Sequence, residues 1–490
     1  MKIRNILYAT LILCSSCTDW LDITPKDIVV EEEMYSHYEG YRNALNGIYK
    51  QMASTDMYGK EMSWGFVDVL GQCYMSGYGG LGSYHPYVKA MDLQYEDKEV
   101  KPYIKSMWEK AYNSIANCNN ILKRIDEVDS TFFPMGEAER LMIKGEALAL
   151  RAYLHFDMLR LFAPAPVVDD KKDYIPYYKS YPSYGESRQP VAAVLDQAIK
   201  DLVEARDYLA RFDTLASEYS SERLGIDYRF STKGNEEVLP EDIFYAFRGY
   251  RMSYPTILAL LARVYNYIGD HGLAKVYATE VIEMKSTRWK TQLFSFTSKD
   301  KVREGNRKMT FDLICALSSP LLYTNYLPYV NSEPANSDAC LVINGGKSIY
   351  DDAADYRSTV LLSPLKYQWV SNRNISPEVT NEEIKDMIPI IRLSEMYYIL
   401  AESYAAESNW VKAAEAIDQV RMGRDCQGGV VGTRINDFDS FKTELLNEVK
   451  REFISEGQTF FYYKKFNTKL FKSMKEEASI LPLPDEENIN

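Results

Sequence analysis

Two aromatic stretches carry the side chains best suited to recognition chemistry. In SWGFVDVLGQCYMSGYGGLGSYHPY (Ser63 to Tyr87) glycines surround Trp64, Tyr74, Tyr78 and Tyr84, and in YTNYLPY (residues 323–329) Asn325 stands between Tyr323 and Tyr326. A flat ring matches the apolar side of a sugar, while a tyrosine hydroxyl or an asparagine amide exchanges hydrogen bonds with its hydroxyl groups. The composition points the same way, with 39 tyrosines beside 19 phenylalanines and 6 tryptophans. These seven residues are the candidate ligand contacts, and the two stretches are expected to converge. The competing reading makes the same rings the packed interior of loops.

Groups that break bonds are less favourably set. GGKS (Gly345 to Ser348) resembles the end of a phosphate-binding loop, but Leu341 stands where that loop needs its first glycine. The four histidines (His37, His85, His155, His271) lack metal-ligand spacing, and no GxSxG elbow is present. His155, within an apolar helical run, reads as packed. Asp437 and Asp439 in NDFDS read as a solvated turn in preference to a calcium site. Cys73, Cys118, Cys315, Cys340 and Cys426 show no metal spacing and read as small buried hydrophobes, with a Cys315–Cys340 bond left open. No metal, no cofactor and no catalytic residue are expected. Carboxylates are abundant, so a surface glycoside hydrolase stays as an alternative, its two carboxylates meeting across a cleft at about 5–9.5 Å.

A formal charge of -13, without a basic cluster to offset it, argues against nucleic acid as a partner. At the N-terminus Lys2 and Arg4 precede the apolar run Ile6 to Leu13, and Ser15-Ser16-Cys17 follows: a secretory signal over residues 1–16. The run is short of the roughly 20 apolar residues that span a bilayer. Small residues before Cys17 fit a bacterial lipobox, which makes Cys17 the expected lipidation site; bulky Leu13 disqualifies Cys14. Several acyl chains at Cys17 would hold the chain to a membrane.

The elements that must position the rings are mainly helical. From Tyr35 to Glu283 apolar residues return every three or four positions, most clearly in EALALRAYLHFDMLRLF (Glu146 to Phe162), which Pro164 and Pro166 stop. A further helix starts near Pro190. Ala262, Tyr265, Gly269, Ala274 and Ala278 fit a tetratricopeptide-like helix pair, and Ala401, Tyr404, Ser408, Ala413 and Ile417 repeat the same offsets. Between these pairs periodicity disappears, and Pro, Gly, Asn and Ser predict long loops and short strands. Helix resumes after a capping box at Thr380 to Glu383. One domain from residue 17 onward is expected, with a helical scaffold over about 35–285 and 380–490 and a loop-rich insertion over about 286–380.

Taken in order, several segments resemble the SusD/RagB family of outer-membrane lipoproteins. CTDWLDITP is similar to the family's opening after the lipid cysteine. The helix through Glu146, Arg151, Ala152, Tyr153, Phe156, Arg160, Phe162 and Pro166 resembles its signature helix, and Arg392, Glu395, Ala401 and Glu402 its late repeat helix. Glu448, Glu452, Glu456 and Gly457, then Pro482 and Pro484, resemble its closing segments. The chain departs from the family at Ala163 and Pro164, and at Thr459, Tyr462 and Lys465. The resemblance implies a mainly α, tetratricopeptide-like superhelix of about four helix pairs with a large insertion of irregular loops and short strands. It further implies a non-enzymatic, lipid-anchored protein on the outer face of the outer membrane, which captures oligosaccharide and passes it to a SusC-like TonB-dependent transporter. A peptide-binding lid of the RagB type is the alternative.

Overall fold

The computed structural model describes residues 32–77, 79–168, 170–331, 338–365, 368–375 and 382–489, so the leader, Cys17, Tyr78 and Thr380 lie outside the described residues. Eight long helices form the scaffold: α1 (Tyr38–Met52), α2 (Lys101–Ile125), α3 (Glu137–Phe162), α4 (Val191–Leu215), α5 (Tyr254–Ile268), α6 (His271–Glu283), α7 (Leu393–Ala406) and α8 (Trp410–Gly423). Each packs against the next, so the expected four pairs form a tetratricopeptide-like stack, which α9 (Phe438–Glu452) and α10 (Thr459–Lys465) close. No described helix is long and apolar enough to cross a membrane.

The two repeats read in the sequence are hairpins of matching geometry. Gly269 turns the chain between α5 and α6 at φ 87°, and Asp270 caps α6 by accepting from the Leu273 N–H at 3.0 Å. At the same offset Ser408 takes φ 56°, and Asn409 caps α8 by accepting from Lys412 at 3.2 Å. Ala262, Ala274, Ala278, Ala401 and Ala413 are fully buried, which lets the helix backbones approach closely. Tyr265 stacks on Tyr277 at 5.7 Å, whereas its counterpart Tyr404 lies under the Lys275 ammonium at 4.2 Å.

Charged residues of the signature segments are buried and paired. Glu146 of α3 accepts from Arg248 at 2.6 Å, Arg251 at 3.0 Å and the Tyr49 hydroxyl at 2.7 Å. Arg151 forks onto Asp201 with both contacts at 2.7 Å. Arg263 of α5 forks onto Glu395 of α7 at 2.6 Å, tying one hairpin to the other. Lys465, one of the departures from the family pattern, meets Glu402 at 2.5 Å. Along α9, Glu448 accepts from Arg421 and Arg451, each at 2.7 Å, and Glu452 from Arg357 at 2.8 Å and from Arg424. Glu456, beyond the helix, takes Arg392 at 2.6 Å and Arg373 at 2.7 Å. Because an uncompensated charge in such a place costs several kcal/mol, these pairs fix which helices and loops sit together.

The chain between α6 and α7 consists of loops, short strands and helical turns of three to five residues such as Lys299–Arg303, Leu322–Tyr326 and Tyr356–Val360. β3 (Leu313–Ser318) pairs antiparallel with β6 (Met387–Arg392), drawing together the two ends of the segment between them. Within it β4 (Leu362–Leu365) pairs with β5 (Gln368–Ser371). Elsewhere β1 (Asp173–Ile175) pairs with β2 (Gln189–Pro190), which leads into α4. All five described cysteines are buried thiols outside any disulfide, so no Cys315–Cys340 bond is present. His155 is fully buried: its Nδ1 lies 2.9 Å from the Arg151 carbonyl, its Nε2 accepts from the Tyr178 N–H, and burial holds its pKa down at about 3. Asp437 is the N-cap of α9 in a capping box with Ser440, and Asp439 meets Lys442 at 3.3 Å. Gly345 opens the short helical turn Gly346–Ile349.

Candidate functional site

The early loop between α1 and α2 and the late insertion form one irregular face. Tyr74 bridges to Ile343, Leu81 to Ala339 and Val342 to Val370. Backbone N–H groups complete the seam, with Met75 donating to Val342, Asn344 to Cys73, Gly82 to Asp338 and Ile343 to Trp369, all at 2.8–3.0 Å. Glycine permits the closest approaches: a Cβ on Gly80 would stand 2.3 Å from the Met75 carbonyl oxygen, and one on Gly346 2.9 Å from the Trp369 ring.

The candidate rings divide between the floor of this face and its surface. Trp64 is buried, donates its indole N–H to the Gly59 carbonyl at 3.0 Å, and meets Tyr326 edge-on at 4.9 Å and Tyr329 at 5.4 Å. Tyr326 is also buried and donates to the Ser371 carbonyl at 2.8 Å. Buried Tyr74 donates to the Trp64 carbonyl at 2.9 Å. These three therefore present no open ring face. Tyr323 and Asn325 are half-buried, and Tyr84 is 94% exposed.

Two further surface rings escaped the sequence reading. Trp369 on β5 is half-buried, with the Lys347 ammonium 3.9 Å above its ring. Tyr329 is half-buried; its hydroxyl accepts from Lys60 at 2.8 Å. The signal for Tyr329 lay inside YTNYLPY itself, whereas Trp369 sits alone in an ordinary strand.

Beneath the rings lies a small group of buried charges. Burial pulls the Lys60 amine down, but Glu61 at 3.2 Å and the Tyr329 hydroxyl outweigh it, and its pKa stands above the ordinary lysine value. Glu61, which accepts from the Tyr87 hydroxyl at 2.7 Å, is raised by burial despite Lys60. Asp68, from the turn Phe66–Leu70, accepts from the Ser455 N–H at 2.7 Å and the Gly457 N–H at 3.0 Å. Burial nevertheless pushes its pKa up to about 7. Both carboxylates are committed to donors of the protein itself. Among the described residues no group of three or more His, Cys, Asp or Glu converges as metal ligands would. Half-buried and exposed rings beside an amide and an ammonium group have the chemistry to meet a polar, flat-sided solute by contact.

Comparison with known proteins agrees with this architecture. Residues 74–219 match a family described as starch-binding and associating with the outer membrane, and residues 317–479 match the SusD family. A SusD-like protein of Formosa agariphila is 22% identical over 507 residues, covering 93% of this chain and 90% of its own length. A second from the same organism is 26% identical over 173 residues, covering 34% of this chain and 31% of its own length. A SusD superfamily structure from Bacteroides thetaiotaomicron superposes with a TM-score of 0.66 at 18% identity, covering 92% of this chain and 97% of that one. A laminarin-binding SusD-like protein superposes at 0.59 with 17% identity, covering 93% of this chain and 98% of that one. The class is thus a helical-repeat scaffold carrying an irregular loop face, an architecture shared with SusD-like binding proteins. The chain belongs to the SusD/RagB family, whose members associate with the outer membrane.

Proposed function

We propose that the loop face binds an oligosaccharide, leaves it chemically intact and delivers it to a SusC-like TonB-dependent transporter. Cys17 is the lipid tether, and the face is turned to the cell exterior. The observation that carries this reading is the meeting of the glycine-rich early loop with the late insertion, the two segments on which exposed Tyr84 and half-buried Tyr323, Asn325, Tyr329 and Trp369 stand. Tyr84, Tyr323, Asn325, Tyr329 and Trp369 contact the ligand, and Tyr78 of the same loop joins them. Trp64, Tyr74 and Tyr326 support them from below. A few ring contacts and hydrogen bonds, less the cost of ordering, give about -4 to -8 kcal/mol, an affinity from millimolar to micromolar that allows release.

The test is a glycan array on the soluble chain lacking residues 1–17, followed by titration of the hits and a reducing-sugar assay. Laminarin is the first ligand to try, since a structural relative binds it. Binding without release of reducing ends supports the reading. Reducing ends set free would favour the hydrolase, and copurified mixed peptides with an empty array would favour a peptide lid.

A further inference from the structure

A groove away from the loop face has no role in the function above. Two cavities of about 610 Å³ and 480 Å³ lie on either side of Phe230, whose ring lines both. Each falls in the size range of ordinary small-molecule sites. Tyr49, Phe244, Phe247 and Tyr250 line the larger, and Phe311 the smaller. Phe230 is buried and meets Tyr250 edge-on at 5.0 Å, so it forms the wall between the two cavities and backs the Tyr250 ring. None of these residues belongs to the early loop or to the insertion's surface rings.

The backbone at Phe247 is the second observation. It is left-handed, with φ 54°, a region disfavoured for a bulky residue because its Cβ crowds the following carbonyl oxygen. The turn itself has a purpose: it sends Arg248 onto Glu146 and Asp213, and Arg251 onto Glu146 and Asn46. That explains the conformation but not the side chain, since glycine or asparagine would take it more cheaply. Yet the ring is half-buried and lines the cavity, and Ile243 at the same wall is 65% exposed. Strain kept where a ring faces a cleft marks a recognition surface.

Charge indicates what the groove takes. Lys50 and Arg251 stand with Asp386 in the larger cavity, and Arg251 is already neutralised by Glu146 at 3.0 Å. Lys233 and Lys301 face Asp227 and Glu304 in the smaller. Neither sign prevails, while Asn46, Ser318 and Asn306 add uncharged donors and acceptors. We propose that this groove binds a second stretch of neutral glycan, several sugar units long, seated in the larger cavity along half-buried Phe247 and Tyr250. The proposal rests on the glycan reading of the loop face.

The experiment titrates the soluble chain with laminari-, cello-, malto-, manno- and xylo-oligosaccharides of graded length, with oligogalacturonate as the anionic comparator. Hydrogen exchange is followed in parallel. The expected result is a neutral series whose affinity rises with length, with protection at residues 243–251 for its longer members. Phe247→Asn should weaken the longest member about 3- to 10-fold, spare the shortest, and hold or raise the melting temperature. Ile243→Ser, at an exposed position, should weaken it too, and keeps the test decisive if Phe247→Asn folds poorly. Protection confined to the loop face, with long-chain affinity unchanged in both variants, overturns the second site and leaves the loop-face reading standing. Protection of the groove by oligogalacturonate alone overturns the neutral ligand, and no binding by any member of the panel overturns both readings.

Discussion

Glu452 on α9 and Asp68 beneath the loop face are both fully buried carboxylates, yet their surroundings drive them in opposite directions. Burial alone would raise Glu452, but Arg424 and Arg357 reverse this and hold it well below the usual carboxylate range. Asp68 meets only backbone N–H groups and a tyrosine hydroxyl, which do not offset burial, and its pKa rises to about 7. The closure of the stack is held by opposite charges, which acid must overcome before it loosens. Asp68 under the loop face is held by neutral donors, unlike its neighbour Glu61, which has Lys60 at 3.2 Å, and burial pushes the Asp68 pKa up to about 7. The two buried acids therefore answer differently to mutation and to pH.

The sharpest way to break the contrast is Arg357→Ala. It leaves Asp355, Glu448 and Glu452 short of a partner in a fully buried site and should cost about 3–5 kcal/mol of stability, read from the denaturant midpoint. The pH response of Asp68 comes next. Its pKa rises from 3.8 to about 7, so the folded state holds a proton that the unfolded chain gives up in that window. The stability Asp68 contributes is complete below the lower value and lost as pH climbs through the upper one. Melting temperature should accordingly fall between about pH 4 and pH 7 and level off above, and Asp68→Asn should flatten that fall; an equally steep fall in the variant would contradict it. Smaller still is Trp369→Ala, which should weaken binding of an array-identified glycan by about 0.5–1.5 kcal/mol in calorimetry and leave the melting temperature nearly unchanged. Last is Ser408→Gly. It relieves a left-handed serine at the turn where the sister hairpin already has Gly269, and should raise stability by up to about 1 kcal/mol in chemical denaturation.

Much of the scaffold was legible because its rules are local. A period near 3.6, alanine where helices touch, and a turn residue at a shared offset placed both hairpins, even where serine replaced glycine. The face was legible in outline: the early loop and the late insertion do meet. Which rings are open was not legible, because a tyrosine among glycines reads alike whether its ring lines a floor or a surface. Trp64 and Tyr326 went to the floor because each found the other, and each found a backbone carbonyl for its polar atom. Trp369 was missed since its exposure depends on the β4–β5 hairpin and on Lys347, neighbours set by distant pairing. The signature acids were recognisable as a pattern, but their partners Arg357, Arg373 and Arg424 lie far along the chain and carry no spacing of their own.

The placing of those partners has a consequence for how such a protein can change its diet. Arg357 and Arg373 belong to the same long excursion between α6 and α7 that builds the recognition face, yet they complete the acids of the C-terminal helix. A chimera that transplanted the whole excursion from a relative without these two arginines would leave Glu452 to Arg424 alone and Glu456 to Arg392 alone, and would weaken the fold. Under the proposed binding role, change in the ligand is therefore channelled to the outermost tips, where a residue such as Tyr84 can be exchanged without any helix registering the loss.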